Sequence, residues 1–360
     1  LLHSAEVRVS ADRVHVRPGE RLKIALHMEG PEAVSSLHWA VTASSPVWSS
    51  DPAAPAGSSK KVRCGPRGCL VYSDGREPLA QGFAAWEVAI PHAARRGPVE
   101  LQLECLSAAN PDGSLVATVS PAPVRVEVTE DGRPYFEAPG VVNAASSRPA
   151  LSPGGLASIY GLGFSTASGM ENAGGVREFR GFSVLVNGVA APVLAVGRAG
   201  ELEQVNIQIP FETLPGAAEI EIRNGEMNRR VGGIVIAPAS PGIFEADGRA
   251  AALHADGSPV NDRHPARSGE VVAVYLTGCG RLAGNVATGE PGPTPPAPLA
   301  SAAQATIGGV ASRVDFAGYA PGLLGVCQMN IEIPPLMPGD AILIVTVGGA
   351  SSNAARLPVG

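Results

Sequence analysis

Apolar and polar residues alternate along most of the chain in runs of five to eight, and the runs are cut by glycine, proline or Asx turn signals. In QVNIQIP (204–210), Val205, Ile207 and Ile209 fall on one side of an extended chain and Gln204, Asn206 and Gln208 on the other. A period of two is that of a β-strand, whose successive side chains point to opposite faces of a sheet. One face is then core, and the other is wet or meets a neighbour. QMNIEIP (328–334) repeats the pattern with Met329, Ile331 and Ile333 inward. EVRVSADRVHVRPGERLKIALHMEG (6–30) predicts two strands joined by a Pro-Gly turn at 18 and 19, and SSLHWAVTA, GFAAWEVAIP, GPVELQLECL and APVRVEVTE continue the alternation. No amphipathic stripe of period 3.6 reaches a useful length, so the pattern predicts an all-β protein.

The likeness of QVNIQIP to QMNIEIP extends over a larger block. SIYGLGF (158–164) corresponds to AVYLTGC (273–279), and VNGVAAPVLAVG (186–197) to IGGVASRVDFAG (307–318), in the same order. The offsets are 115 residues from Ser158 to Ala273, 121 from Val186 to Ile307 and 124 from Gln204 to Gln328, as if loops had lengthened between constant strands. A period near 120 is too long for a solenoid and predicts two tandem copies of a whole domain. Within each copy, Asn187-Gly188 and Gly308-Gly309 supply the positive φ that a two-residue type I′ hairpin needs. The expectation is an antiparallel sandwich of immunoglobulin-like size, present twice.

The ordered run VVNAASSRPALSPGGLASIYGLGF, VNGVAAPV, EQVNIQIP, ASPGIF, VVAVYLTGCG, TIGGVASRV, QMNIEIPP and VTVGGASSN resembles a paralogous C-terminal family of secreted acidobacterial proteins, over about residues 137 to 360. Its halves are similar to the IPT/TIG type of immunoglobulin-like domain. The resemblance implies an extracellular β module without catalytic residues. This chain departs from the family's pattern in the charged stretch RNGEMNRRVGG (223–233) and in Cys279 and Cys327. In the TIG arrangement, the strand of VVAVYLTG pairs with that of QMNIEIP, which implies a Cys279–Cys327 disulfide worth about 4 kcal/mol in the chain-entropy description. The N-terminal region, in its opening strand pair, GFAAWEVAIP and AANPDGSLVATVSPAPVRVEV, resembles a cohesin-type jelly roll, which implies a dockerin as one class of partner. The fold expected is therefore three consecutive antiparallel β-sandwiches, one cohesin-like and two immunoglobulin-like. Their boundaries are a signal-peptide remnant at 1–5, a cohesin-like domain at 6–128, a linker at 129–145, and repeats at 146–240 and 241–360.

Composition agrees with thin sandwiches. Of the 360 residues, 45% are hydrophobic but only 4% aromatic, so cores must be built from small aliphatic side chains. The net charge is −6, lysine occurs only at 23, 60 and 61, and the arginines are scattered, which leaves no basic stripe for a nucleic acid. No apolar run is long enough for a membrane span. LLHSAEVRV reads as the tail of a signal peptide cleaved after Ala5, hence an exported protein. Cys64 and Cys69 bracket GPRG, and a disulfide across that short loop is worth about 2 kcal/mol in the same description. Cys105, in phase with Val99, Leu101 and Leu103, is expected to point inward as a small hydrophobe.

Candidate chemistry is sparse. The three Trp lie in the N-terminal region. Trp86 and Trp39 are in phase with core positions, whereas Trp48, in SSPVWSSDP, reads as a loop residue and the best exposed platform for a sugar. Asp112, Asp247 and Asp256 could donate to calcium, but Asp-Gly is first a turn signal and no DxDxDG spacing occurs. The histidines form no HExxH motif, and nucleophile elbows, Walker loops and dinucleotide fingerprints are absent. Tyr160 and Tyr275, and likewise Asn206 and Asn330, occupy equivalent outward positions of the two copies, either as a polar cross-strand cluster or as a partner surface. These readings describe a non-enzymatic binding or scaffolding protein, secreted or in the cell envelope, that uses no cofactor. Its partner is a protein or polysaccharide at the cell surface, with neither nucleic acid nor membrane insertion. The alternative is a carbohydrate binder with its site on the N-terminal sandwich.

Overall fold

The computed structural model describes residues 5–29, 34–79, 82–200 and 202–360. Every regular element among them is a strand, and the strands form several sheets. The chain divides into two compact units, one of Leu1–Arg133 with Ser165–Ser168 and one of Pro134–Phe164 with Gly169–Gly360. The expected leader remnant falls on residues 1–4, outside the described residues, and on Ala5.

The first unit is a two-sheet sandwich. One sheet runs in the order Thr118–Val119, Ala5–Ala11, Arg21–Glu29, Ala84–Ala89, Trp48–Ser49. The other runs His15–Val16, Val124–Val128, Gly97–Ala109, Ser36–Ala43, Gly68–Tyr72, Lys61–Gly65, with Leu115–Val116 beside Gly97–Ala109. Alternation decides which residues go inside: in Arg21–Glu29, Leu22, Ile24, Leu26 and Met28 are buried between more exposed neighbours. The opening segment holds three strands, one more than expected. Ala5–Ala11 pairs antiparallel with Arg21–Glu29, but between them His15–Val16 crosses over and pairs in parallel with Val124–Val128. In the core the Trp39 and Phe83 rings meet edge to face, 6.3 Å apart.

The second unit contains two sandwiches with separate cores. In the first, Tyr135–Asn143, Leu156–Leu162, Leu202–Gln208, Val193–Ala199 and Met170–Val176 form one sheet, and Ala150–Leu151, Met227–Ile236, Gly216–Asn224, Phe182–Val186 and Val189–Ala191 the other. In the second, Val271–Thr277, Cys327–Glu332 and Val314–Tyr319 follow in the same order, opposite a sheet of Ala303–Ile307 and Gly339–Val347 with their flanking strands. The strand bounds match in detail: Leu156–Leu162 lies 115 residues before Val271–Thr277, and Phe182–Val186 lies 121 before Ala303–Ile307. Both two-residue turns have the expected geometry, with φ of 48° and 81° at Asn187 and Gly188 and 58° and 79° at Gly308 and Gly309.

Two differences have local causes. The residues expected as a linker include Tyr135–Asn143, which is a strand paired with Leu156–Leu162. Pro139-Gly140 is a pair that ordinarily interrupts a strand, and the register does shift between Phe136 and Val141, but the strand is paired on both sides of the shift. In Gly97–Ala109 the inward phase holds through Leu103 and then slips at a bulge opposite His38 and Trp39, so that Ala108 is the next fully buried residue. Cys105 sits at that slip, half-buried against the core margin, and burial pushes its thiol up to about 11.

Candidate functional site

The aromatic candidates of the first unit separate clearly. Trp39 is fully buried and Trp86 is 5% exposed, so both are core. Trp48 belongs to a strand rather than a loop: Trp48–Ser49 pairs with Ala84–Ala89. Two residues are too few for alternation to show. Its ring is half-buried and its indole N–H donates to the Ala167 carbonyl oxygen at 2.8 Å, so its polar edge is already in use.

The four repeated polar candidates lie where the pattern puts them, half-buried on the outward faces of their sheets. In the first copy Tyr160 is opposite Gln204 and Ser158 opposite Asn206. Ser158 Oγ donates to Asn206 Oδ1 at 2.8 Å, and Gln204 Nε2 donates to Asn206 Oδ1 at 2.7 Å and to Ser158 Oγ at 3.2 Å. In the second copy Tyr275 is opposite Gln328 and Asn330 opposite Ala273. With alanine in place of Ser158, only the bond along the strand remains, Gln328 Nε2 to Asn330 Oδ1 at 2.8 Å. Tyr275 additionally lines a largely apolar groove of about 510 Å³ with Leu253, Pro259, Val260 and Leu323.

Both disulfides form, Cys64–Cys69 and Cys279–Cys327. The second joins the end of Val271–Thr277 to the start of Cys327–Glu332, where Leu276 pairs with Cys327. At the offsets above, Phe164 and Glu203 hold the corresponding positions of the first copy. There the corner is closed by a buried hydrogen bond, from the Phe164 N–H to Glu203 Oε2 at 2.5 Å. The same architectural corner thus carries a buried hydrogen bond from backbone to carboxyl group in one sandwich and a covalent bond in the other.

The most elaborate polar arrangement was not foreseen, and it lies inside the second unit where its two sandwiches meet. Tyr319 is 1% exposed, and its hydroxyl oxygen accepts from the Gly325 N–H at 2.5 Å and from Gln208 Nε2 at 3.1 Å while donating to the Glu290 carbonyl at 3.2 Å. Burial raises the pKa of that hydroxyl, so it stays a neutral donor. Gln208, also fully buried, accepts from the Gly289 N–H at 2.8 Å through its other end. Thr277 Oγ1 accepts from the Leu156 N–H at 2.7 Å and donates to the Gly325 carbonyl at 2.6 Å. Thr288 Oγ1 accepts from the Phe211 N–H at 2.9 Å and donates to Glu212 at 2.6 Å, and the Phe211 ring meets that of Tyr319 edge to face at 5.9 Å. Gln208 was expected to face outward, and it does, but the second sandwich covers that part of the face. A faint signal existed in the repeat itself. Gln208 corresponds to Glu332, and a neutral amide replaces a charge that can remain in the interior only when paired.

The remaining candidates resolve into turns and one ion pair. Asp112 Oδ1 accepts from the N–H and hydroxyl of Ser114, and Asp256 Oδ1 from those of Ser258, as in Asx turns. Asp247 adopts φ of 51° next to Gly248 in a tight turn. Among the described residues no three His, Cys, Asp or Glu converge as metal ligands. His254 is 7% exposed and stacks on the His264 ring at 3.9 Å. Its Nδ1 lies 2.5 Å from Glu270 Oε1 and its Nε2 3.1 Å from the His264 carbonyl. With acceptors at both nitrogens, the ring is satisfied only as the imidazolium.

No protein-family model matches the chain, and no curated protein matches it. The resemblance of residues 137 to 360 to the acidobacterial family therefore stands on its motifs alone. Solved structures show partial likeness. A type I cohesin–dockerin complex from Clostridium thermocellum aligns at 14% identity over 34% of this chain and 99% of that one, with a TM-score of 0.28. The Bacteroides ovatus mixed-linkage glucan utilization locus protein SGBP-B, in complex with a mixed-linkage heptasaccharide, aligns at 12% identity over 96% of this chain and 65% of that one, with a TM-score of 0.29. The titin fragment I67–I69 aligns at 8% identity over 99% and 98%, with a TM-score of 0.19. Likenesses of this size speak to neither ligand nor partner. The all-β sandwich architecture rests on the strands themselves.

Proposed function

We propose that this chain is a non-enzymatic binding and scaffolding protein of the cell exterior or envelope, in which the two C-terminal sandwiches act as one rigid body. The observation that carries this reading is the buried junction of Gln208, Tyr319, Thr277 and Thr288. Loosely strung domains meet through small, hydrated contacts, whereas here fully buried polar groups of one sandwich are satisfied by the other. Relative to the two sandwiches apart and hydrated, each hydrogen bond between them contributes about 0.5–1.5 kcal/mol net, so the network favours the docked arrangement by several kcal/mol. Two disulfides support an oxidising compartment. The strand-for-strand correspondence supports tandem duplication as the origin of the pair. The outward faces bearing Tyr160 and Asn206, and Tyr275 and Asn330, are the partner surfaces this reading favours. A sugar platform on the N-terminal sandwich is less favoured, because two of its Trp are core and the N–H of the third is engaged.

Calorimetry of the full chain tests the proposal. The two C-terminal sandwiches are expected to unfold in a single cooperative transition. Two resolved transitions that divide them, each with the heat of one sandwich, would remove the rigid-body reading.

A further inference from the structure

We infer that the recess beside the junction, about 480 Å³ in volume, binds a neutral saccharide. Its walls come from both sandwiches of the second unit. Phe211 and Glu212 follow the Leu202–Gln208 strand of the first, and Arg281, Leu282, Asn285 and Val286 belong to the segment after Cys279 in the second. The volume lies in the range of small-molecule sites.

Three features make the recess a prepared site rather than a dent. The Glu212 carboxylate is fixed by the Thr288 hydroxyl, and this bond, followed by its own backbone N–H, holds its pKa below the usual carboxylate range. It remains an ionised acceptor at neutral pH. Second, the main chain of the facing wall is fastened. Cys279, two residues before Arg281, is tied to Cys327; the Arg281 carbonyl accepts from the Ala300 N–H at 2.9 Å, and Leu282 bridges to Leu299. Third, on this fastened wall the Arg281 guanidinium and the Asn285 amide have no hydrogen-bond partner among the described residues, and both residues are exposed.

The chemistry of the lining selects the ligand. The lining itself carries one carboxylate and one guanidinium, and the Arg177 guanidinium also lies close enough to act on Glu212, so an anion meets Glu212 while a cation meets Arg281 and Arg177. A sugar hydroxyl can donate to Glu212 and accept from Arg281 or Asn285 without that conflict. The half-buried Phe211 ring, steadied on its other contact by Tyr319, and the side chains of Leu282 and Val286 supply apolar surface for the C–H face of a pyranose. The inference gives a ligand to the binding role proposed above, and it rests on that reading only for the junction that shapes the walls.

The test is titration calorimetry of the full chain with cello-, laminari-, xylo-, malto- and mannotetraose, with glycine as a zwitterionic probe. At least one neutral tetrasaccharide is expected to bind. Arg281→Ala and Asn285→Ala, both exposed and unpaired among the described residues and so without consequence for folding, should each weaken it. The Arg281 loss should be about tenfold, as for one hydrogen bond to a charged group. Phe211→Ala should abolish it. Absence of heat with all five saccharides at millimolar concentration, binding that survives both wall variants, or binding of glycine alone would overturn the inference. A negative result with a single cooperative unfolding transition would leave the scaffold reading standing, so the two can fail separately.

Discussion

Replacing Tyr319 by Phe removes one oxygen from the centre of the junction and leaves its volume nearly unchanged. That oxygen takes part in three hydrogen bonds. The Gly325 N–H meets no other acceptor among the described residues, so the variant buries it unsatisfied at a cost of about 1–3 kcal/mol. Gln208 Nε2 keeps a second partner, the Gly154 carbonyl at 3.3 Å, and with the Glu290 carbonyl its loss adds about 1 kcal/mol. The expected destabilisation is therefore about 3 kcal/mol, which for a unit of this size lowers the melting temperature by about 6–12 °C. Differential scanning calorimetry reads the shift. Tyr275→Phe, which removes a hydroxyl with no hydrogen bond among the described residues, is the control and should change stability by less than about 0.5 kcal/mol. A double-mutant cycle with Gln208→Ala should show a coupling of about 1 kcal/mol. A loss for Tyr319→Phe no larger than for Tyr275→Phe, or strict additivity with Gln208→Ala, would refute the account of the junction.

The His254–Glu270 pair makes stability depend on pH. Burial disfavours the charged ring, but the hydrogen bonds to Glu270 and the His264 carbonyl, with the charges of Glu270 and Asp256, outweigh it and raise the His254 pKa above its ordinary 6.5. Glu270 is shifted the other way from its ordinary 4.5: burial alone would raise it, but the Arg267 N–H and His254 hold it lower. The pair's contribution is thus complete between about pH 4.5 and 6.5, is lost as pH rises through the folded His254 value, and is lost again as pH falls through the folded Glu270 value. Melting temperatures of wild type and His254→Gln from pH 4 to 9 should differ most inside that window and converge at alkaline pH; a constant difference would contradict the assignment. Replacing Cys279 and Cys327 together by Ala should cost about 4 kcal/mol in the chain-entropy description, measured by urea unfolding, and a loss under about 1 kcal/mol would show that the corner does not depend on the bond. Trp39→Ala should cost about 3–5 kcal/mol by cavity formation, while Trp48→Ala, at a half-buried site, should cost less and leave saccharide binding unchanged. Loss of saccharide binding in Trp48→Ala, measured by the same titration calorimetry, would place the sugar site on the first unit.

What the chain shows of its fold is whatever repeats locally. Period-two alternation marks strands such as Arg21–Glu29 and Leu202–Gln208 because sheet geometry puts every second residue in the core. Asn187-Gly188 and Gly308-Gly309 mark hairpins because few other residues tolerate their φ. The Cys279–Cys327 pairing was implied by the resemblance to the TIG arrangement, which sets the two cysteine-bearing strands side by side. What was hidden lacks a local signature. Trp48–Ser49 is too short to alternate, and Tyr135–Asn143 contains the Pro139-Gly140 pair that ordinarily ends a strand. The bulge beside Cys105 changes the inward phase without changing composition. Gln208 reads as one more outward polar residue, since a face covered by a neighbouring domain has the same alternation as a face covered by water. The recess at Phe211, Glu212, Arg281 and Asn285 is assembled from segments about 70 residues apart and has no sequence pattern of its own.

The central claim is that the two C-terminal sandwiches move as one body. Double electron–electron resonance on the full chain, with genetically encoded spin labels at the exposed positions Glu219 and Gln304, measures this directly. The account predicts one narrow distance distribution that broadens in Tyr319→Phe. A broad or multimodal distribution in the wild type would contradict it.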